Sequence, residues 1–504
     1  MHVAHWIDRI VERTPHKTAL RHAGRDIAYE RLARRIDDVA RALAGEGVRR
    51  GDRVAWLGLN SAAFLATLFA CARLGAIFVP LNWRLAAPEH RAMLEGCTPH
   101  VLVVDAEFVA TSEDIAPPGA ARVIHDGDAA GWRSWPAWLD AAAAQPLPPV
   151  LADDEAPLLL CHTSGSTGRP KGALLSSRAL EVNADNADDM HGLVADDHVL
   201  TTLPLFHVGG LNIQTQPALR AGCTVTLHPK FDPGATLHAI EHEGVTLTVL
   251  VPAQLEALFA HPRWPQADLS GLRAIATGST TVPLRIVQAV HARGVPLLQV
   301  WGATETAPIA ACLRADEAWR KPGSAGRAAR RTQLRIVGAD GRDVAAGQPG
   351  EVCVRGDHVM SGYWRDPEAS ARALDGGWFR SGDLGHLDAD GYLGIDGRLK
   401  DMIISGGENV SPAEVEAVLL DCPQIAEAAV VGRPDAHWGE VVVAVVVAAA
   451  GSRLERERVL ALCDGRLARF KHPKDVVVLD ALPRTALGKV RKDDLRQLVA
   501  RGNT

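Results

Sequence analysis

Lysine is scarce in this sequence: nine of the 54 basic residues are lysines and the rest are arginines. Arginine is the default cation, so a lysine at a particular place carries more information than usual. No charge of one sign accumulates. The net charge is −6, with arginines and acids interleaved, and this excludes a nucleic-acid-binding surface. The eight cysteines (71, 97, 161, 223, 312, 353, 422 and 463) show neither a C-x-x-C pair nor a metal-ligand spacing. The spacing suggests neither a disulfide framework nor a zinc site, and the thiols read as buried in a reducing compartment. No apolar run is long enough to cross a bilayer. The most apolar one, 441–450, is rich in valine and reads as a buried strand. Residues 1–20 mix Asp8, Arg9, Glu12 and Arg13 with apolar positions and lack a secretory pattern. A cytoplasmic protein without an integral membrane segment is expected.

At 504 residues the chain is too long for one ordinary core, and two or three packed units are expected. The first third alternates: strand at 53–59, helix at 61–74 with Gly75 as a stop, strand at 76–81, helix at 88–95, strand at 100–104. This rhythm predicts a parallel sheet with helices on its faces. A Pro/Ala-rich connection at 146–157 follows. Strands are then expected at 199–203, 224–227, 246–251, 274–277 and 297–301. From about 332 to 395, short strands and Gly turns predict an all-β subdomain. Beyond Arg398 the pattern is α+β, with helices at 412–420 and 454–467 and strands at 427–431 and 440–448. The fold class is α/β. A large N-terminal domain, 1–399, holds parallel-sheet layers plus the β subdomain, and a small α+β C-terminal domain spans 400–504.

The strand at 157–161 runs into Thr163, Ser164, Gly165, Ser166, Thr167, Gly168, Arg169, Pro170, Lys171 and Gly172. Three glycines allow close backbone approach. Four hydroxyls and the backbone N–H groups can donate to phosphate oxygens, and Lys171 adds a cation. The segment is neither a Walker A loop nor a G-x-S-x-G elbow. Composition alone would equally describe a Ser/Gly surface loop. The order hydroxyl–Gly–Pro–Lys–Gly favours a triphosphate site.

The segment resembles the phosphate-loop signature of the adenylate-forming superfamily: acyl-CoA and aryl-CoA ligases, peptide-synthetase adenylation domains and firefly luciferase. Further motifs follow in order. Gln299-Val-Trp-Gly-Ala-Thr-Glu305 resembles the aromatic–Gly–x–Thr–Glu segment. Ser381-Gly-Asp383 resembles the ribose motif, Arg398-Leu-Lys400 the hinge, and Pro483-Arg-Thr-Ala-Leu-Gly-Lys489 the C-terminal lysine motif. Taken alone, Trp301 reads as a core tryptophan and Lys400 or Lys489 as a solvated lysine. Together the motifs run from Thr14 to about Leu495.

The resemblance implies an ATP-dependent carboxylic acid–CoA ligase, an AMP-forming acid–thiol ligase using ATP, Mg2+ and CoA. It assigns Trp301 to adenine, Thr304 to phosphate, Glu305 with Thr163 to Mg2+, and Asp383 and Arg398 to ribose and phosphate. Gly278, Ser279 and Gly302 join the nucleotide set. Lys489 bridges the carboxylate and the α-phosphate. The small domain is implied to be mobile about Lys400, exchanging Lys489 for the CoA face: Gly406, Gly407, Trp438, Phe470 and Lys471. His472, where an Arg can occur, is a departure. His207 is implied to gate the acid, and Val208, Gly209, Gly210, Val249 and Val300 to line its channel. No cation stands among these wall positions, so a hydrophobic acid is expected. Val300, where Gly is common, shortens the channel and favours aryl or medium-chain acids. Gly209 and Gly210 leave room. The motif wording leans towards a medium- or long-chain fatty acid, with an aryl or hydroxycinnamate acid, or loading of a carrier protein, as alternatives. A monomer or homodimer is expected, with no nucleic-acid partner.

Overall fold

The computed structural model describes residues 2–113, 115–163, 170–280, 282–405, 408–435, 437–485 and 488–501. The chain divides into two compact units. The first is Met1–Leu334 with Val354–Arg380, and the second is Arg335–Cys353 with Ser381–Thr504.

The first unit is α/β with two large sheets. One has eight strands in the order Gly362–Tyr363, Lys171–Ser176, Pro157–Thr163, Ile77–Leu81, Arg53–Leu57, Val101–Val104, Ala121–Ile124 and Arg133–Ser134. Its strands are parallel from Pro157–Thr163 onward. The other sheet has nine strands, and its middle five are parallel: Leu297–Trp301, Ala274–Gly278, Leu247–Val249, His198–Thr201 and Thr224–Leu227. Between such strands, helices supply the apolar cover. The helix Ala62–Leu74 begins where the Ser61 hydroxyl accepts from Phe64 N–H at 3.1 Å and ends at Gly75 with φ 63°. It is buried on nearly every side, as a helix enclosed by other layers must be.

The second unit carries a five-stranded sheet in which Gly439–Ala448 pairs with Ile425–Asp435 and Ile403–Ser405, and runs parallel to Asp475–Leu479. The valine run reads differently on its two faces. Val442 and Val446 pack with Val415 and Leu419 of the helix Pro412–Leu420. Val443, Val445 and Val447 pack with Leu495 and Val499 of the helix Lys492–Ala500. Both faces are covered, which is why the segment is apolar without alternation.

Two expectations are corrected. The stretch 332–395 is not all β: the helix Pro367–Ala373 starts where the Asp366 carboxylate accepts from Ala369 N–H at 2.9 Å, with Pro367 in its first turn. The strand Gly362–Tyr363 leaves that region to pair with Lys171–Ser176. The helix expected at 454–467 is only Arg456–Ala461. Gly465, at φ 69°, adopts a left-handed turn that no continuing helix can contain.

Candidate active site

In the first unit the site grows from the strands Pro157–Thr163 and Lys171–Ser176. Their register pairs Thr163 with Lys171, so the two ends of the intervening segment are held side by side. Ser164, Gly165, Ser166, Thr167 and Gly168 lie outside the described residues. Thr163 Oγ1 is 3.4 Å from the Lys171 carbonyl oxygen. Cys161, two residues earlier and so on the same strand face as Thr163, is pushed up to about 12 by burial first and then by the negative charge of Glu305. The thiol is inert, and its shift reports the Glu305 carboxylate beside this strand.

Glu305 sits in the short turn Thr304–Thr306 after the strand Leu297–Trp301. Its carbonyl oxygen accepts from Met360 N–H at 2.8 Å, and its carboxylate Oε1 accepts from the Tyr363 hydroxyl at 2.8 Å. The Tyr363 ring in turn lies under Lys171, with Nζ 5.1 Å from its centroid. Tyr363 therefore ties together the lysine and the carboxylate, and the sequence reading missed it. Thr304, Glu305 and Trp301 are half-buried. Gly302 is fixed by space: a Cβ there would lie 1.7 Å from the Pro308 carbonyl oxygen.

Among the residues expected to line the acyl channel, two groups lie in contact. His207 precedes the short helix Val208–Gly210, and its Nδ1 accepts from Gly209 N–H at 3.0 Å. Nδ1 is thus the bare nitrogen of the neutral ring, and Nε2 carries the proton. A Cβ on Gly209 would lie 3.0 Å from His207 Nδ1 and 3.8 Å from Ser279 Oγ, so these two side chains flank the glycine. A Cβ on Gly278 would meet the Val300 carbonyl oxygen at 2.4 Å and Val300 Cγ1 at 2.9 Å. Val208, Val249 and Val300 are buried.

In the second unit, Asp383 and Arg398 face each other on the hairpin formed by Trp378–Leu387 and Leu393–Arg398. Arg398 Nε lies 2.6 Å from Asp383 Oδ1. The Ser381 hydroxyl donates to Val352 O at 2.6 Å and accepts from Asp383 N–H at 3.0 Å. Gly382, within the strand Trp378–Leu387 at φ 68°, donates its N–H to Glu351 Oε1 at 3.0 Å. Glu351 and Ser381 are further supports that the motif did not announce. Lys400 is exposed, 3.7 Å from Asp493. Lys489 is exposed beside the turn at Gly488, where its carbonyl oxygen accepts from Thr485 N–H at 2.7 Å.

Trp438 is exposed beside His437, and Lys474 Nζ lies 5.9 Å from its centroid. Phe470 is exposed as well. Lys471 is held by Glu414 at 2.6 Å, and His472 Nε2 is bonded to Leu467 O at 2.9 Å. Gly406 and Gly407 lie outside the described residues.

In the first unit the Glu305 carboxylate and Lys171 share Tyr363, and in the second the Asp383 carboxylate is paired with Arg398. The chain belongs to the AMP-binding enzyme family: residues 7–364 match that family, and residues 414–489 match the AMP-binding enzyme C-terminal domain. It is similar to the indoleacetate–CoA ligase of Aromatoleum aromaticum, with 58% identity over 504 residues and 99% of each chain covered. It is similar to a feruloyl-CoA synthase of Amycolatopsis, with 45% identity over 493 residues and 98% of each covered. Among solved structures it is similar to an anthranilate–CoA ligase in complex with anthranoyl-AMP, with a TM-score of 0.92 and 28% identity, covering 99% of this chain and 98% of that one. The protein is an ATP-dependent, AMP-forming acid–CoA ligase that uses Mg2+ and CoA. Glu305 and Thr163 offer oxygen atoms only, a donor set that fits a hard cation. Among the described residues, no helix is long and apolar enough to cross a membrane.

Proposed function

We propose that the acid is an aryl-substituted one of the arylacetate or cinnamate size, activated as its adenylate and passed to CoA. The observation that carries this reading is the 58% identity, across essentially the whole chain, to an enzyme named for indoleacetate. The pocket supports it: the Val300 side chain fills the space beside Gly278, which shortens the channel for an extended alkyl tail. A medium- or long-chain fatty acid is the less supported substrate, because the relatives at 58% and 45% identity are named for aryl acids.

In this reading Lys171 and the backbone of its segment take the β- and γ-phosphates, and Trp301 offers a face to adenine. Mg2+, when held by Glu305 and Thr163, neutralises charge on the phosphates. Asp383, braced by Arg398, accepts from the ribose hydroxyls. His207, with its proton on Nε2, donates towards the acid. The carboxylate oxygen attacks the α-phosphorus and pyrophosphate leaves, with Lys489 steadying both anions. The CoA thiol then attacks the mixed anhydride, losing its proton as AMP departs. Trp438 and Lys474 serve the CoA nucleotide, and Lys400 is the pivot between the two steps. Lys471, already paired with Glu414, has a weaker claim on CoA.

The test is thioester formation across indole-3-acetate, phenylacetate, ferulate, hexanoate and palmitate, with CoA or a carrier protein as acceptor. The highest kcat/KM on an aryl acid with free CoA is expected. A preference for palmitate or for the carrier protein would overturn the assignment.

A further inference from the structure

The acyl wall leads to buried polar atoms that packing leaves unexplained. Gln214 lies in the turn Leu211–Thr215, which has π-helical hydrogen bonding, a form that concentrates at functional sites. Its side chain is 1% exposed, and neither amide atom has a hydrogen-bond partner among the described residues. The buried Thr202 hydroxyl is in the same condition. The two threonines beside them are satisfied: Thr215 Oγ1 donates to Gly210 O at 2.6 Å and lies 2.7 Å from Thr201 Oγ1, while Asn212 Nδ2 and Gln216 Oε1 each lack a partner among the described residues although the other amide atom of each is bonded.

Gln214 and Thr202 line one cavity of about 10 Å³ with Thr201, Leu203, Gly210 and Val249. That size admits a single hydrogen-bonding group and not a ring. The cavity lies at the C-terminal ends of the parallel strands His198–Thr201 and Leu247–Val249, where α/β sheets place ligands. Gly210 and Val249 are also expected acyl-wall residues, so the cavity adjoins that wall in this reading.

Buried amides are nearly always hydrogen-bonded. A buried amide without a protein partner, facing a cavity that shares Gly210 and Val249 with the expected acyl wall, points to a partner that arrives with the substrate. We propose that Gln214, with Thr202, recognises a polar hydrogen on the ring of the acid, an N–H or O–H at the end remote from the carboxylate. The inference rests on the aryl-acid reading and deepens it. The amide oxygen accepts from a ring N–H, and for a phenol the amide N–H can donate back to its oxygen. An isostere without that group would bury the amide unpaired, so discrimination should be strong.

The experiment compares kcat/KM for matched acids with the full-length enzyme: indole-3-acetate against benzothiophene-3-acetate, and 4-hydroxyphenylacetate against 4-methylphenylacetate. The wild type should favour the hydrogen-bonding member by roughly 10- to 100-fold. Gln214→Leu should bring that ratio towards one, and Thr202→Val should lower it in part. Equal constants within both pairs in the wild type would overturn the proposal while leaving the aryl assignment standing. The wild-type pairs decide this even if a variant fails to fold. Turnover of alkanoic acids alone would remove the aryl reading and this inference with it.

Discussion

Tyr363→Phe removes one hydroxyl and leaves a ring in place. The hydroxyl donates to Glu305 Oε1 at 2.8 Å, while the ring carries Lys171 Nζ 5.1 Å from its centroid. The substitution deletes the first contact and keeps the second, because phenylalanine offers the same face to an ammonium. A hydrogen bond to a charged group contributes ~1.5–3 kcal/mol. Tyr363 and Glu305 are both half-buried, which favours the lower end, and about 1.4 kcal/mol corresponds to a tenfold change. The loss should fall on the metal–nucleotide side: apparent Mg2+ affinity should drop by about tenfold, with little change in KM for the acid. The assay is the initial rate of pyrophosphate release at saturating acid and ATP, titrated with MgCl2, with a thermal melt to verify folding. Tyr363→Ala also removes the face under Lys171 and should lose more. An unchanged Mg2+ titration in folded Tyr363→Phe would refute the positioning role.

Val300→Gly should open the space beside Gly278 and raise kcat/KM for longer acids relative to arylacetates. It should cost about 1–3 kcal/mol of stability through lost packing and backbone freedom; the acid panel and melting curves check both. Stability should also fall in mild acid. Burial holds His191 and His358 down to about 4 in the folded chain, against an ordinary value of 6.5. The unfolded chain therefore binds more protons between those values, so stability is lost as pH drops from about 6.5 towards 4. Each histidine can contribute up to about 3 kcal/mol across that window. A melting temperature that is flat from pH 7 to pH 5 would contradict this.

The parallel sheets were legible because their strands are short, mostly apolar runs punctuated by caps such as Ser61 and stops such as Gly75. At 163–172 composition alone fits a phosphate segment and a surface loop equally; the order of residues and the motifs downstream favour the first. The errors have local causes that were readable in principle: Gly465 stops a helix, and Asp366–Pro367 starts one. Tyr363 and Gln214 were not legible in the same way. Tyr363 meets Lys171 and Glu305 only because a two-residue strand crosses to Lys171–Ser176. It is one of three tyrosines in the chain, so the scarcity that made lysines informative could have drawn notice to it. Gln214 is marked only by burial without a hydrogen-bond partner among the described residues, a property of the fold and not of the local sequence.

Lys489→Ala, assayed on each half-reaction separately, tests the two-step account most directly. Given indole-3-acetate and ATP, the variant should release pyrophosphate at a rate reduced by at least about 100-fold, as for loss of a group that stabilises transition-state charge. Given synthetic indolylacetyl-adenylate and CoA, it should form thioester at close to the wild-type rate. Equal loss in both half-reactions, or unimpaired pyrophosphate release, would contradict the account.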